Sequence, residues 1–392
     1  MDYARRHRRS VHKALDPESN DEIYHVVYDI PQAQKELLSQ PVKLPLASLG
    51  TPRASNSTIY PEIFVIVEHN VVNKENSLED KVLYVLAFWN GVDMRYRSFS
   101  NPKIRLNIAR IVFAEVLIRL YLIFSQRISR EKMFDKNNYY QYVLPHISKF
   151  TDGHYIYEKE YALDTMGYWL YRMNHIFPIN SYDLGVTLTL KILCDKPYNS
   201  RDQICLTTGI AFKSGAYTID NKNETIYKVA FVRDAGRFNG IKTAAHELGH
   251  LLGVDNHDYI DENEPCDRSD GYLMTPSEDY ANHSFEWSNC SIRQMGRFLR
   301  SEKALCLYDQ PLYNENPLPR YLPGKLFTPN EQCQAFVNAS FNTTAEFNCH
   351  AMACSIGNRP DYNFIIEPAE GTSCGYGKLC LHGFCIDENS IE

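Results

Sequence analysis

The stretch HELGHLLGVDNHD, residues 246–258, carries the side chains best suited to chemistry. His246 and His250 are four residues apart, so a helix places both imidazoles on one face, at the spacing that two zinc ligands need. Glu247 follows the first histidine, where its carboxylate can take a proton from a water molecule held at the metal. The motif therefore predicts metal-assisted hydrolysis with Glu247 as the general base.

The residues after this helix have to supply a third ligand. Gly253 stands where the helix must end, and glycine adopts the positive φ of such a turn without steric cost. The long form of the motif places a histidine three residues after this glycine, but here Asn256 holds that position and the histidine is His257. Three interpretations are open: His257 still reaches the metal, Asp255 or Asn256 replaces it, or the site binds metal poorly. A loop absorbs one extra residue at small entropic cost, which favours His257.

A methionine follows in the stretch DGYLMTPS. Met274 lies about where a methionine turn passes beneath the metal in zinc proteases of this type. An ordinary core methionine is the alternative, and the order of the motifs favours the turn.

Composition excludes several classes of function. The chain has 392 residues and a net charge of -7, so we expect two or three domains and no nucleic-acid partner. The most apolar run, residues 108–124, contains Arg110, Glu115 and Arg119, which argues against a membrane span.

The cysteines point to an oxidising compartment. None of the 11 precedes Cys194, and six fall between Cys333 and Cys385. So dense a segment predicts disulfide crosslinks, and six cysteines allow 15 connectivities. Acceptor sequences for N-glycosylation agree with a secreted, extracellular protein, and they begin at Asn56, Asn223, Asn282, Asn289, Asn338 and Asn342.

Hydrophobic patterning predicts an α/β fold. Phe64–Val67 indicates a buried strand, and Ser77 with Asp80 indicates a capped helix after it. Further strands are predicted from the stretches KIRLNIARIVF, YDLGVTLTL and YKVAFVRD, with GIAFKSGA as an edge strand. Helices are predicted over about 162–176 and over 241–252, and this alternation favours a mixed sheet.

The chain divides into three regions that differ in composition and hydrophobic pattern. Residues 1–57 are interpreted as a propeptide remnant or spacer with a basic processing site at RHRR, and a solvated basic tail or a nuclear signal is the alternative for that site. Residues 58–312 form the α/β domain. Residues 313–392 begin with a proline-rich boundary and form a small, disulfide-rich, loop-rich domain.

These motifs resemble those of the metzincin proteases. The run TAAHELGHLLG, then HD and YLMTP, is most similar to the reprolysin (adamalysin) branch, which includes snake-venom, ADAM and ADAMTS metalloproteases. The blocks FWNGVDMRYRSF and ALDTMGYWLY resemble parts of the same catalytic domains, and GTSCGYGKLCLHGFC resembles the ADAMTS cysteine-rich region. Taken over residues 58–390, the chain is most similar to tick salivary secreted metalloproteases.

The resemblance implies specific roles. It assigns Zn²⁺ binding to His246, His250 and His257, with Asp255 as the alternative third ligand. It makes Glu247 the general base. It assigns structural roles to Gly253, Asp258 and Met274. It also implies that GIAFKSGA pairs with an extended protein substrate.

Further implications concern calcium and disulfides. Reprolysins share a Ca²⁺ site far from the zinc, and its candidate ligands here are Glu62, Asp183 and Asp309, with plain surface carboxylates as the alternative. The resemblance pairs Cys266 with Cys290, and Cys306 with Cys194 or Cys205.

The function implied is that of a secreted zinc-dependent endopeptidase. It would cut host plasma or extracellular-matrix proteins, and the likeness to the tick group suggests fibrinogen and fibronectin, with an antihaemostatic role. The alternative is a catalytically weak or inactive protein that binds a partner through its cysteine-rich tail. Glu247 favours the enzyme because a scaffold has no need of it, whereas the extra Asn256 favours the binding protein.

Overall fold

The computed structural model describes most of the predicted catalytic region and tail. These residues are 58–68, 71–72, 77–114, 159–194, 207–254, 267–275, 283–309, 320–335, 339–343, 345, 347–357 and 363–390. It also gives the backbone of four further strands, at residues 10–15, 22–29, 148–149 and 155–158.

The elements of the first region follow one another in α/β order. The strands are β1 (Ser10–Leu15), β2 (Glu22–Asp29), β3 (Thr58–Ile59), β4 (Glu62–Glu68), β5 (Lys103–Ile104), β6 (Asn107–Ala114), β7 (Ser148–Lys149), β8 (Tyr155–Glu158), β9 (Leu184–Thr189), β10 (Ile192–Cys194), β11 (Gly209–Ala211), β12 (Ile219–Asp220), β13 (Thr225–Ile226) and β14 (Val229–Arg233). The helices are α1 (Leu78–Tyr96), α2 (Lys159–Arg172), α3 (Ile241–Leu251) and α4 (Asn289–Leu299), with short 3₁₀ turns at Met173–His175, Ile179–Ser181, Arg268–Asp270 and Glu302–Tyr308.

A mixed sheet forms the centre of this region, as predicted. Its order is β1-β2-β6-β4-β9-β14-β11. β6, β4, β9 and β14 run parallel to one another, whereas β11 pairs antiparallel with β14 and β2 pairs antiparallel with β6. The strands β1 and β2 are not predicted from the sequence, which is interpreted there as a spacer.

The two faces of the sheet bury different helices. Along β4, Phe64 and Ile66 pack in one cluster with α2, while Val65 and Val67 pack on the opposite face with α1 and α3. This alternation is the period-two pattern of a strand covered on both faces. The helix that carries the HExxH motif is therefore buried against the sheet.

Helix α1 begins as the sequence predicts. The Ser77 hydroxyl accepts a hydrogen bond from the Asp80 amide, and the Asp80 carboxylate accepts one from the Ser77 amide. This capping box satisfies two helix donors, and such a cap contributes about 1 kcal/mol.

The second region is small and crosslinked. It contains α5 (Pro329–Cys333), β15 (Ala339–Phe341), β16 (Met352–Ile356), β17 (Asn363–Ile366), β18 (Ser373–Gly375), β19 (Lys378–Leu381) and β20 (Phe384–Asp387), with 3₁₀ turns at Pro323–Lys325 and Glu388–Ser390. Its disulfides are Cys333–Cys354, Cys349–Cys380 and Cys374–Cys385. Each disulfide closes a loop, and it stabilises the folded state by about 3 kcal/mol because it restricts the unfolded chain.

Helix α1 also contacts the tail. The Asn90 side chain donates a hydrogen bond to the Tyr321 carbonyl at 2.9 Å, and Arg320 forms an ion pair with the buried Asp93 at 2.9 Å. Within the described residues, no helix is long and apolar enough to cross a membrane.

Candidate active site

Helix α3 is anchored at its beginning by a buried carboxylate. Asp234 follows β14 and accepts hydrogen bonds from the amides of Gly236 and Gly240 and from the Tyr84 hydroxyl. Further along, the Tyr96 hydroxyl donates to the Ala245 carbonyl at 2.7 Å. These contacts fix the helix just before its first histidine.

The two imidazoles of α3 are held by backbone carbonyls. His246 Nδ1 lies 2.9 Å from the Leu273 carbonyl oxygen, and His250 Nδ1 lies 2.6 Å from that of Val254. Because a carbonyl only accepts, each Nδ1 carries the proton and each lone pair is on Nε2, the atom that would bind a metal. The ring centroids are 4.9 Å apart. This carbonyl-held tautomer is the arrangement usual around histidines that ligate zinc.

The Glu247 carboxylate is buried beside them. Its side chain is only 6% exposed, and its Oε2 has no hydrogen-bond partner among the described residues. Burial raises the pKa of Glu247 to about 8, and the charge of Lys159 opposes the rise. A buried acceptor without a donor is costly in a finished structure. The donor set, two oriented imidazoles and an unsatisfied carboxylate, therefore fits a zinc ion together with a water molecule.

The floor under the helix is made by Met274 and Trp287. Met274 is fully buried. A Cβ built on Gly249 would lie 2.9 Å from Met274 Sδ and 2.9 Å from the Trp287 ring, so only glycine lets the helix approach this closely.

The turn after the helix begins at Gly253. Its φ is +100°, and a Cβ there would lie 2.2 Å from that of Phe298, so a side chain is excluded on both grounds. The next residues, Asp255, Asn256, His257 and Asp258, lie outside the described residues. The identity of the third ligand therefore stays a prediction.

Strand β11 runs beside the Glu247 carboxylate. It is the last strand on its side of the sheet within the described residues. A Cβ on Gly209 would lie 2.6 Å from Glu247 Oε1 and 2.5 Å from Thr243 Cγ2, so this strand passes directly over the helix.

The three calcium candidates form a second cluster, at the start of β4. The Glu62 amide donates to Asp183 Oδ2 at 2.9 Å. Burial raises the pKa of Glu62 to about 7, and the negative charges of Asp183 and Asp309 add to the rise. Their ligand oxygens are not gathered within 4.8 Å of one another, since the one such group among the described residues is Cys349, Cys374 and Cys385. Those three sulfurs are already in disulfides.

A lysine that the sequence analysis missed lies beside this cluster. Lys228 is fully buried, and its Nζ donates to the carbonyls of Ile179 at 2.6 Å and Tyr182 at 2.5 Å. Its charge opposes the rise in the pKa of Asp183 that burial causes. No signal in the stretch YKVAFVRD distinguishes this lysine from an exposed one.

The expected pairing of Cys306 is wrong. Among the described cysteines Cys306 alone is outside a disulfide, whereas Cys194 is bonded. Cys306 belongs to the 3₁₀ turn that packs at the start of β4, where its thiol donates to Asp183 instead, and burial raises its pKa. Cys290 is also disulfide-bonded, but the predicted partners Cys205 and Cys266 lie outside the described residues.

Two parts of the chain match models of known protein families. Residues 199–311 match the reprolysin (M12B) family zinc metalloprotease, a span that includes α3, Met274 and β11. The chain carries a reprolysin-family zinc metalloprotease domain. Residues 323–386 match the ADAMTS cysteine-rich domain 2, so a reprolysin domain is followed by a tail of the ADAMTS type.

Individual relatives agree with this assignment. The chain is 32% identical over 347 residues to an "A disintegrin and metalloproteinase with thrombospondin motifs like" protein of Bombyx mori, covering 86% of this chain and 46% of the relative. It is 25% identical over 287 residues to venom metalloproteinase 3 of Eulophus pennicornis, covering 73% and 60%. A human relative, "A disintegrin and metalloproteinase with thrombospondin motifs 8", is 30% identical over 54% of this chain and 24% of its own length. The chain thus spans less than two thirds of each of these relatives.

Proposed function

We propose that this chain is a zinc-dependent endopeptidase that hydrolyses extended segments of proteins. One observation carries the proposal: two imidazoles with carbonyl-held Nδ1 atoms and an unsatisfied buried carboxylate share one helix. The reprolysin family match supports the same chemistry.

The proposed roles in metal binding and proton transfer belong to different residues. His246 and His250 would hold zinc through Nε2, with His257 as the proposed third ligand. Zinc, when bound, supplies Lewis acidity toward the scissile carbonyl and makes water acidic enough to deprotonate near neutral pH. Glu247 accepts the proton of the attacking water and later donates it to the leaving amine. Its buried Oε2 has no hydrogen-bond partner among the described residues, which leaves this atom open to a water molecule.

Strand β11 is the proposed substrate guide. An extended peptide that added to this edge would run beside Glu247, because Gly209 packs directly on that carboxylate. The absence of a side chain on Gly209 permits this close approach. Main-chain hydrogen bonds along the edge would then give affinity with little dependence on sequence.

The primary test compares wild-type protein with Glu247→Gln, which keeps the size of the side chain and removes the base. We expect zinc near one equivalent in both proteins and cleavage of a denatured protein substrate only in the wild type, lost on adding a chelator. Loss of a general base lowers the rate by roughly 10²–10⁴-fold. Full zinc with no cleavage by the wild type would contradict the proposal.

The third ligand is tested separately. We propose His257, and therefore expect His257→Ala to lower zinc affinity strongly and Asp255→Ala to leave it nearly unchanged. Asn256 deletion, which restores the common spacing, should keep zinc bound. A loss of affinity confined to Asp255→Ala would assign the ligand to the aspartate instead.

A secreted protein acting on plasma or matrix proteins is the proposed setting. Three disulfides in the tail support an oxidising compartment, and the likeness to tick salivary metalloproteases suggests fibrinogen and fibronectin. Expression through a secretory leader should yield active, disulfide-bonded protein that cuts either substrate. Cleavage of neither, with other unfolded proteins cut, would refute this substrate assignment.

We also propose that Glu62, Asp183 and Asp309 bind Ca²⁺. If all three carboxylates and Lys228 are charged, they sum to a charge of -2, which one divalent cation balances. The separation of their oxygens means that the ion would have to draw them together. Isothermal titration should give one calcium site that Glu62→Gln abolishes. An unchanged titration in that variant would remove the assignment.

The second candidate function is that of a binding protein. Exposed aromatic side chains favour it, since Tyr376 and Phe384 of the tail are 106% and 63% exposed. Asn256 in the metal loop favours it too. Wild-type protein that holds no zinc but binds fibronectin, with binding lost in Tyr376→Ala, would support this alternative over the enzyme.

A further inference from the structure

Arg95 joins the tail to the catalytic region through a buried ion pair. It lies in the last turn of α1 and is 2% exposed. Its Nη2 forms an ion pair with Glu367 Oε1, and its Nη1 lies 3.9 Å from Glu370 Oε1. Both glutamates belong to the tail. Removing one partner of a buried pair leaves an uncompensated charge, so the contact is sensitive to the loss of either side.

The same arginine contacts the segment that follows the methionine turn. Its guanidinium carbon lies 3.6 Å from the centroid of the Phe285 ring, which is a close cation–π contact. Its carbonyl accepts a hydrogen bond from Trp287 Nε1 at 2.9 Å. Arg95 therefore holds two aromatic residues of this segment at once.

Aromatic side chains connect this segment to α3, the helix that carries His246 and His250. The Trp287 ring packs against Gly249, the residue before His250. It also lies 4.9 Å, centroid to centroid, from the ring of Tyr96. The Tyr96 hydroxyl donates to the carbonyl of Ala245, the residue before His246. The contacts thus reach the neighbours of both histidines.

A further bond ties the segment to the methionine turn. The Leu273 amide donates to the Glu286 carbonyl at 2.9 Å, and the Leu273 carbonyl is the acceptor for His246 Nδ1. Because Glu286 lies between Phe285 and Trp287, a shift of these two rings would move the carbonyl that orients His246.

We propose that Glu367 of the tail is a positioning residue of the peptidase site, acting through Arg95 on Phe285 and Trp287 and so on the histidines. The inference rests on the proposed zinc peptidase function. It assigns to the cysteine-rich tail a part in holding the metal, in addition to any partner it binds. Glu370 lies farther from the guanidinium and is not given this role.

The test uses the full chain with Glu367→Gln, which removes the charge and keeps the shape. Its control is Glu388→Gln, which breaks the exposed ion pair with Lys325 within the tail and does not contact Arg95. Three quantities are measured: the rate at which a chelator removes zinc, and kcat and KM for the best peptide found with the wild type.

We expect Glu367→Gln to release zinc several-fold faster and to lower kcat about tenfold with KM nearly unchanged. The control should match the wild type in all three quantities. A purely structural contact would lower the melting temperature but leave zinc release and kcat at the control values, and that result would overturn the proposal.

The route through Trp287 has its own test. Trp287→Phe keeps an aromatic ring but removes both the hydrogen bond to the Arg95 carbonyl and the indole atoms that pack against Gly249. If the effect passes through this side chain, the double variant Trp287→Phe/Glu367→Gln releases zinc no faster than the more affected single variant. Additive effects would contradict the route.

Two provisions keep these outcomes distinct. If Glu367→Gln does not fold, Arg95→Lys takes its place. This variant keeps a positive charge but loses the planar guanidinium group that pairs with Glu367 and stacks on the Phe285 ring. If the wild type binds zinc but cleaves nothing, the peptidase function fails while zinc release still decides the positioning role.

Discussion

The imidazoles of α3 are oriented by backbone carbonyls to bind a metal, whereas the carboxylate oxygens at the start of β4 are not gathered around one point. His246 and His250 each have a carbonyl within hydrogen-bonding distance of Nδ1. Glu62 and Asp183 instead have raised pKa values, because they are buried and face other negative charge. The first set is oriented to receive a cation, whereas the second would have to be drawn together by the calcium ion that we propose for it.

The two sites differ in what fixes their geometry. The histidine set rests on a packed floor of Met274 and Trp287 with a glycine above it. The carboxylate set has the ammonium group of Lys228 beside it, so part of its negative charge is balanced without any metal ion. We therefore expect perturbations of packing to act on the first site and changes of ion or pH to act on the second.

The largest effect is expected from the floor. Met274→Ala should cost about 2–5 kcal/mol of unfolding free energy by leaving a cavity. Met274→Leu, of similar volume, should cost less than about 1.5 kcal/mol. Chemical denaturation of both variants measures this, with zinc release faster in the alanine variant alone. Equal behaviour of the two would mean that the floor does not hold the site.

The next effect concerns Glu247, the proposed general base. Gly209→Ala places a methyl group on Glu247, and a displacement of about 1 Å lowers kcat/KM by roughly 10²-fold. Gly375→Ala is the control, since the nearest atom to its new Cβ is 3.9 Å away. Steady-state kinetics on both should separate them. Wild-type activity in Gly209→Ala would show that the helix and β11 are not tightly coupled.

Calcium should stabilise the protein through the second set. At a calcium concentration 100 times the dissociation constant, the gain is about 2.7 kcal/mol. Melting curves with and without calcium measure it, and Glu62→Gln should lose it while Glu388→Gln keeps it. An equal gain in both variants would place calcium elsewhere.

The smallest effect is a pH dependence in calcium-free buffer. The folded-state pKa of Glu62 is about 7, above the ordinary 4.5, so the folded state binds this proton more tightly than the unfolded state. The stabilisation that this raised pKa contributes is fully present below pH 4.5, and it is lost as the pH rises to about 7. Glu62→Gln should flatten the denaturation midpoint across this window. An unchanged slope would mean that Glu62 titrates normally.

Local features were predictable because their causes are local. The cap at Ser77, the strand around Phe64–Val67 and the helix over the HExxH motif all follow from residues a few positions apart. The apolar residues whose spacing predicts these elements are also the residues that pack them into the core. Gly253 likewise signals its own turn, with a φ of +100°.

The remaining features depend on contacts between distant residues. The Arg95–Glu367 pair joins residues separated by 272 positions, and no local pattern indicates it. The burial of Lys228 depends on carbonyls from a separate turn. The Cys306 thiol donates a hydrogen bond to Asp183 because the chain returns to the start of β4, which the spacing of cysteines does not reveal.

Zinc is predicted to bind to the oriented imidazoles of α3. X-ray absorption at the zinc edge of the zinc-loaded chain tests this most directly. We predict histidine nitrogens at about 2.0–2.1 Å from the ion, a signal that His246→Ala or His250→Ala removes and Glu62→Gln leaves intact. An oxygen-only shell, or a signal lost only in Glu62→Gln, would contradict the account.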